Sequence, residues 1–165
     1  MKKKLKKTIF IAMYLIIAST AIIIDQITKR QLYGKSFSVV GDLLWVDSSF
    51  NTGAAFSIMG GARWFFILIA IISSLIMLYL LVSEKWHLTI TNKIGIALIL
   101  GGAIGNLIDR IIYAGVRDFI YLKSINFAIF NFADTFVTIG GVILVVSLII
   151  DFVKAYTKEK NRGRA

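Results

Sequence analysis

The sequence predicts an all-α membrane protein with four transmembrane helices and a small extracytoplasmic β-rich loop region. Three observations lead to this fold class. Hydrophobic residues make up 58% of the 165-residue chain, and only 17% of its residues are charged. The mean hydropathy is +0.80. The apolar residues are gathered in four long stretches, which soluble domains of this size rarely contain.

The four apolar stretches are long enough, or nearly so, to cross a bilayer, which takes about 20 helical residues. They cover residues 8–24, 64–82, 94–112 and 132–152. Helices are expected because a backbone in hydrocarbon must satisfy its own hydrogen bonds, and the chain has no proline to interrupt them. We expect one membrane-embedded domain over residues 1–165. The first stretch resembles a secretory signal peptide but lacks a small-x-small cleavage site, so we expect it to be retained.

Basic residues are concentrated at the two ends of the chain. Five lysines lie within residues 2–7, and five more basic residues lie between residues 154 and 164. Because basic residues flank membrane spans on the cytoplasmic side, we expect both termini in the cytoplasm, held against anionic lipid. This placement accounts for the net charge of +10. It favours membrane lipid as a partner and argues against nucleic acid.

With both termini inside, residues 30–63 and 113–131 connect the spans on the outer side. The first connection is long for a loop in a compact protein, which usually marks function. Its segments 36–40 and 43–46 have strand-like composition, and Gly41 and Asp42 between them can turn the chain. The sequence therefore predicts a small sheet on the outer face of the membrane.

The inventory of reactive side chains excludes several enzyme classes. The chain has one histidine, His87, and no cysteine, which excludes a zinc-peptidase motif and a serine–histidine triad. No phosphate-binding loop of the Walker type is present. Nine carboxylates remain, and four lie at or just beyond the outward ends of the spans: Asp25, Asp109, Asp118 and Asp134. Acids at membrane depth are costly, so these four are functional candidates.

Asp118 and Asp134 form the stronger pair among these acids. They are 16 residues apart, on either side of a loop that returns to the same membrane face, so they can meet. Two facing carboxylates share a proton, and they can supply a general base for water and an acid for a substrate carbonyl. This is the chemistry of aspartic proteases.

Two other pairs have helical spacing, Asp25 with Lys29 and Asn106 with Arg110, each four residues apart. Side chains at this spacing lie on one face of a helix and can interact. The pairs could serve a site, or they could only hold the helices together at the outer rim. The spacing leaves both interpretations open.

Five segments resemble the successive motif blocks of the lipoprotein signal peptidase (signal peptidase II) family. In one-letter code they are DQITK at 25–29, NTGAAFS at 51–57, GGAIGNLIDR at 101–110, VRDF at 116–119 and FNFAD at 130–134. They occur in the order of the family, on a chain of the family's length. The resemblance covers about residues 8–152.

The resemblance implies a bacterial inner-membrane aspartic endopeptidase. Its substrates would be diacylglyceryl-modified prolipoproteins, cut just before the lipid-modified cysteine. It implies Asp118 and Asp134 as the catalytic dyad, the pair reached above from chemistry. The supporting positions that it implies around the pocket are Asp25, Lys29, Asn51, Gly53, Asn106, Arg110 and Asn131. It implies no metal or organic cofactor, and the predicted orientation puts the active site toward the outer face.

Other classes of protein remain as alternatives. The main one is a small proton-coupled or cation membrane transporter, in which a membrane carboxylate binds the ion. Such a protein is expected to place its acid near mid-span, whereas these acids cluster at one face. A peptidase that uses a serine with Lys29 or Lys123 lacks a recognisable serine motif here. A non-catalytic scaffold does not need clustered acids.

Overall fold

The computed structural model describes residues 2–53 and 61–162. Within these residues, four long helices form a bundle, and a three-stranded antiparallel sheet lies at one end of it. The elements are α1 (Lys2–Leu32), β1 (Phe37–Val40), β2 (Leu44–Asn51), α2 (Arg63–Val82), α3 (Ile90–Tyr113), β3 (Val116–Tyr121) and α4 (Phe132–Arg162). Positions 54–57 of the second motif lie outside the described residues.

The four helices are long and apolar enough to cross a membrane, which confirms the four predicted spans. Each helix contains its predicted stretch, but α1 and α4 each run for 31 residues, well beyond it. At a rise of about 1.5 Å per residue such a helix is about 46 Å long, whereas the hydrocarbon core is about 30 Å thick. The apolar pattern therefore locates the membrane-crossing part of each helix and not its ends.

Helix α3 lies at the centre of the bundle and packs against α1, α2 and α4. Its residues Ile96, Ala97 and Leu100 are buried in one apolar cluster with residues of α1 and α2. Its N-terminus is capped by Thr89, whose hydroxyl oxygen accepts a hydrogen bond from the Asn92 backbone N–H at 3.3 Å. Because α3 is central, polar residues near its C-terminus can reach several neighbouring elements.

Glycines let α3 approach its neighbours closely. A Cβ atom at Gly101 would lie 2.7 Å from the backbone oxygen of Ala18 in α1. A Cβ atom at Gly140 of α4 would lie 2.6 Å from the backbone oxygen of Gly95 in α3. Small residues at helix interfaces are the usual way for membrane helices to pack tightly. At these two positions the packing requires glycine.

Adjacent glycines in α4 provide a matched test of this packing. Gly140→Ala pushes α3 and α4 apart, and we expect it to lower the free energy of unfolding by about 1–3 kcal/mol, as overpacking usually does. At Gly141 a new methyl group has nothing within 4 Å. Gly141→Ala should therefore be neutral or slightly stabilising through its higher helix propensity. Thermal unfolding of both variants in one detergent checks the pair, and equal melting temperatures would contradict the close contact.

The predicted hairpin is present as β1 paired antiparallel with β2. Gly41 in its turn has a φ of +47°, a left-handed conformation that glycine adopts readily. Strand β2 continues to Asn51, beyond the predicted segment, and pairs with β3 in a register that sets Ser49 opposite Asp118. The sequence predicts only a connection over residues 113–131, whereas the structure has strand β3 there. This strand is six residues long and depends on pairing with a distant segment, so local composition does not reveal it.

Candidate active site

The C-terminal end of α3, strands β2 and β3, the loop after β3 and the beginning of α4 surround a cavity of about 540 Å³. Its polar lining residues are Asn51, Asn106, Arg110, Asp118, Asp134, Thr135 and Thr138. Its apolar lining includes Leu122, Ile125, Phe127, Ile129, Phe130 and Ile139. The cavity thus combines a polar part, which contains both predicted catalytic acids, with an apolar part formed by the loop 122–130 and by α4.

Asp134 is held at the start of α4 by reciprocal hydrogen bonds with Asn131. The Asp134 backbone N–H donates to Asn131 Oδ1 at 3.0 Å, and the Asn131 backbone N–H donates to Asp134 Oδ2 at 3.1 Å. This is the geometry of a capping box, in which side chains satisfy backbone donors that the first helical turn leaves free. Asn106 donates from Nδ2 to the other oxygen, Asp134 Oδ1, at 2.8 Å. Both carboxylate oxygens are therefore oriented by the fold.

Asp118 lies on β3 and is only 2% exposed. Asn131 donates from Nδ2 to Asp118 Oδ1 at 2.6 Å, and its backbone N–H donates to Asp134 Oδ2, so one residue is bonded to both carboxyl groups. Burial and, to a smaller extent, the charge of Asp134 raise the pKa of Asp118 to about 7, while hydrogen bonds from Asn131 and Asn51 act in the opposite direction. Asp118 therefore keeps its proton at pH values where an ordinary aspartate is ionised.

Asn106 connects the acids to a buried lysine. Its Oδ1 atom accepts hydrogen bonds from Lys29 Nζ at 2.9 Å and from Asn131 Nδ2 at 3.2 Å. Because donors occupy the amide oxygen, the amide nitrogen is turned toward Asp134. The amide of Asn106 is thus fixed in the orientation that binds Asp134.

Arg110 lies one helical turn further along α3 and supports the end of β2. Its Nη2 atom donates to the backbone oxygen of Gly53 at 3.1 Å, and its guanidinium lies 5.2 Å from the centre of the Phe66 ring. The Gly53 backbone N–H donates to Asn51 Oδ1 at 2.9 Å. The three predicted supporting residues Asn51, Gly53 and Arg110 are therefore joined to one another at the polar part of the cavity.

Asp25 and Lys29 are fully buried and form an ion pair, with Lys29 Nζ 2.9 Å from Asp25 Oδ2. They reach the site indirectly. Lys29 binds Asn106, as described above, and Asp25 Oδ1 accepts a hydrogen bond from the Ala133 backbone N–H in the first turn of α4 at 2.9 Å. The pair therefore joins α1 to α3 and α4, and both of its members contact residues next to the cavity.

Sequence reasoning did not single out Gln26 or Arg117 as site residues. Gln26 donates from Nε2 to the Gly105 backbone oxygen at 3.0 Å and to Asp109 Oδ1 at 3.2 Å. Arg117 Nη2 lies 2.9 Å from Asp109 Oδ1. No periodic pattern relates Arg117 to Asp109, because they belong to different elements. The cap on α4 did have a signal, since an amide residue precedes an acid by three positions at the start of an apolar run.

The described residues contain no group of three or more His, Cys, Asp or Glu side chains placed to bind a metal ion. The cavity offers two carboxyl groups in different surroundings, joined through Asn131 and flanked by amide and guanidinium donors. Such a pair can take a proton from water and give one to a carbonyl oxygen. The arrangement suits the attack of water on a peptide bond.

Comparisons with known proteins show which family the chain resembles. The family model of signal peptidase (SPase) II matches residues 15–150. The lipoprotein signal peptidase of Lactiplantibacillus plantarum is 39% identical over 145 residues, which cover 84% of this chain and 95% of the relative. That of Halalkalibacterium halodurans is 40% identical over 155 residues, which cover 90% of this chain and 98% of the relative.

A solved structure supports the fold. It is a bacterial membrane enzyme structure determined by the in meso method at 2.3 Å resolution, and it matches with a TM-score of 0.77 at 34% identity. The match covers 86% of this chain and 90% of that chain. The family model, the relatives and this structure each match most of the chain, and this multi-pass membrane protein belongs to the signal peptidase II family.

Proposed function

We propose that this chain is a membrane-embedded aspartic endopeptidase that removes signal peptides from diacylglyceryl-modified prolipoproteins. It cuts just before the lipid-modified cysteine, with Asp118 and Asp134 as the catalytic dyad. The relatives named lipoprotein signal peptidase support this substrate class. The observation that carries the aspartic mechanism is one cavity that contains both acids, joined through Asn131.

The different surroundings of the two acids suggest their roles. Asp134 lies in the first turn of α4, where the positive end of the helix dipole and the N–H donors of Asn106 and Asn131 suit a negative charge. Asp118 is buried on β3, and its raised pKa favours the protonated form. Asp134 is therefore the base that activates water, and Asp118 is the acid that protonates the substrate carbonyl.

The reaction then proceeds through a tetrahedral intermediate. Asp134 accepts a proton from water as the water oxygen bonds to the carbonyl carbon, and Asp118 gives its proton to the carbonyl oxygen. When the intermediate collapses, the C–N bond breaks, Asp134 gives its proton to the leaving amine, and Asp118 recovers its proton from the hydroxyl. Arg110 and Asn51 line the same cavity and can hold peptide carbonyls without reacting themselves.

The alternatives fit less well. Membership of a peptidase family leaves the transporter without support. Lys29, one of the two lysines considered for a serine–lysine mechanism, is fully buried and bound to Asp25 and Asn106, and the other, Lys123, pairs with Asp42. Lys29 is therefore held by its partners and not presented to a substrate.

The direct test is cleavage of a synthetic peptide that carries a diacylglyceryl-modified cysteine. Purified protein should release the signal segment by breaking the bond just before that cysteine, and mass spectrometry of both products identifies the bond. The proposed function fails if folded protein leaves this peptide intact or cuts it elsewhere.

The rate should depend on pH through the proton of the dyad. Asp118 carries this proton below pH about 7. Above this value Asp118 has lost the proton that the substrate carbonyl requires, so we expect the rate to fall by about tenfold per pH unit. At low pH the dyad as a pair gains a second proton and lacks a base, which should also slow the reaction. Single-turnover cleavage from about pH 5 to about pH 9 should give a bell-shaped profile. A rate that still rises across the alkaline half of this range would contradict Asp118 as the acid.

We propose that both termini are cytoplasmic and that the cavity opens toward the outer face. The basic clusters at the two ends of the chain support this orientation. A phosphatase reporter, which is active only outside, should be inactive at the C-terminus and active when fused within residues 113–131. Activity at either terminus would reverse the orientation and with it the side of the site.

A further inference from the structure

A group of four charged side chains, three of them fully buried and the fourth partly exposed, lies beside the dyad and takes no part in the proposed reaction. The group contains Asp25 and Lys29 of α1, Asp109 of α3 and Arg117 of β3. Lys29 Nζ lies 3.7 Å from Asp109 Oδ2 in addition to its contact with Asp25. The two negative and two positive charges of the group cancel. This neutrality matters because a buried charge without a partner is strongly destabilising.

Arg117 is attached to Asp109 through both its backbone and its side chain. Its backbone N–H donates to Asp109 Oδ2 at 3.0 Å, and Nε donates to the same oxygen at 3.1 Å. Its Nη2 atom donates to the other oxygen, Asp109 Oδ1, at 2.9 Å. Charged, two-pronged hydrogen bonds of this kind are both strong and orienting. Because the backbone N–H takes part, Asp109 holds the main chain of β3 and not only a side chain.

Further contacts fix the guanidinium of Arg117. Nη2 donates to Gln26 Oε1 at 3.3 Å, and the guanidinium lies 4.3 Å from the centre of the Tyr113 ring. Gln26 belongs to α1, and Tyr113 is the last residue of α3. The beginning of β3 is therefore tied to two helices of the bundle at once.

The next residue along β3 is Asp118. Successive side chains of a strand point to opposite sides, so Arg117 lies against Asp109 while Asp118 lines the cavity. The position of Asp118 relative to Asp134 therefore depends on where β3 begins. A displacement of about 1 Å in a reacting group can lower a rate by about 100-fold.

We propose that Arg117 is a positioning residue, whose attachment to Asp109 places β3 so that Asp118 meets the second acid and the substrate. This role rests on the peptidase function proposed above. Within the described residues, the hydrogen bonds of the Arg117 side chain go to Asp109 and Gln26 and not to either reacting acid, so it acts through the main chain that it shares with Asp118.

The charge of Arg117 gives the role a signature in the pH profile. Among the described residues, the charged and titratable groups around Arg117 and the dyad are Asp25 and Lys29 from α1, Asp109, Arg110 and Tyr113 from α3, and Asp134 from α4. Without Arg117 the buried group has one excess negative charge. A nearby negative charge makes it harder for the dyad to lose its proton, so the alkaline limb of the profile should move to higher pH.

The test compares Arg117→Gln and Arg117→Lys with the wild-type protein and with Arg30→Gln, a control at an exposed arginine of α1. For Arg117→Gln we expect kcat to fall by about 10- to 100-fold with little change in KM, and the alkaline limb to move to higher pH. Arg117→Lys keeps the positive charge but loses the planar guanidinium, which donates two parallel hydrogen bonds to Asp109. It should keep the wild-type pH profile and recover only part of kcat. The control should match the wild type.

Rates are expressed per folded molecule, with thermal unfolding measured in parallel. A wild-type kcat and pH profile for folded Arg117→Gln, with only the melting temperature lowered, would overturn the positioning role. If that variant does not fold, Arg117→Lys decides the matter, because a full wild-type kcat in Arg117→Lys shows that the paired guanidinium hydrogen bonds are unnecessary.

The activity of the wild-type protein distinguishes failure of the proposed function from failure of the role of Arg117. If the wild-type protein does not cleave the lipidated peptide, both fall, and if it cleaves while the variants equal it, only the role of Arg117 falls.

Discussion

Asp118→Asn and Asp134→Asn should each lower turnover by at least about 1,000-fold while leaving substrate binding largely intact. Asparagine keeps the size and much of the hydrogen bonding of aspartate, but it cannot carry a proton between water and substrate. The double variant should be no slower than the single variants, because residues that act as one unit lose their effect together. Single-turnover cleavage at equal folded concentration, with binding measured separately, checks these outcomes.

The matched control is Asp42→Asn in the turn of the hairpin. Asp42 is exposed and pairs with Lys123 at 2.9 Å, and such surface pairs contribute little to stability. Its replacement should leave cleavage nearly unchanged. Near-normal cleavage by either dyad variant would instead refute the aspartic mechanism.

Precursor peptide without lipid should be cut far more slowly than the lipidated form. The cavity has an apolar part beside the acids, formed by residues of the loop 122–130 and by Ile139. Each buried methylene contributes about 0.8 kcal/mol, so burying only about five of them raises affinity by about 1,000-fold. We expect a difference of at least this order in kcat/KM between matched peptides with and without the diacylglyceryl group.

A variant within the apolar part shows whether the cavity itself recognises the lipid. Ile139→Asn places an amide at the cavity wall and should reduce the advantage of the lipidated peptide. Val145→Asn, at an exposed position of the same helix, serves as the control. Equal cleavage of lipidated and unlipidated peptide by the wild type would contradict a lipid site beside the acids.

The helices could be predicted because crossing a bilayer imposes a long apolar pattern on the sequence, but their ends could not. The first predicted span stops at residue 24 because Asp25 begins a polar stretch. Helix α1 nevertheless continues to Leu32, since Asp25 and Lys29 pair with each other inside the bundle. A buried ion pair lowers the local hydropathy as much as a loop does, so a hydropathy pattern does not distinguish the two. The pair can be recognised as helical only from the four-residue spacing of its members.

The two candidate acids could be predicted from their position at the ends of spans and from the motifs. The bonds between Asn131 and Asp134 could also have been predicted from their spacing, as the cap of a helix. The attachment of Arg117 to Asp109 could not, because it depends on β3, and β3 exists through pairing with β2 across a long separation in the chain. Local patterns predict local structure. The supports of this site are mostly contacts between distant segments.

The two acids contribute to folding stability in opposite ways. The environment that suits Asp118 for catalysis lowers the stability of the fold, whereas Asp134, as part of the α4 cap, raises it. Asp118 has a folded pKa above its ordinary value, so its contribution to stability is present at low pH and is lost as pH rises through about 7. Asp134 instead completes a helix cap, and losing such a cap costs about 1 kcal/mol. Selection for higher folding stability alone would therefore favour replacement of Asp118 and retention of Asp134. Only the first of the two has to be maintained by selection for activity alone.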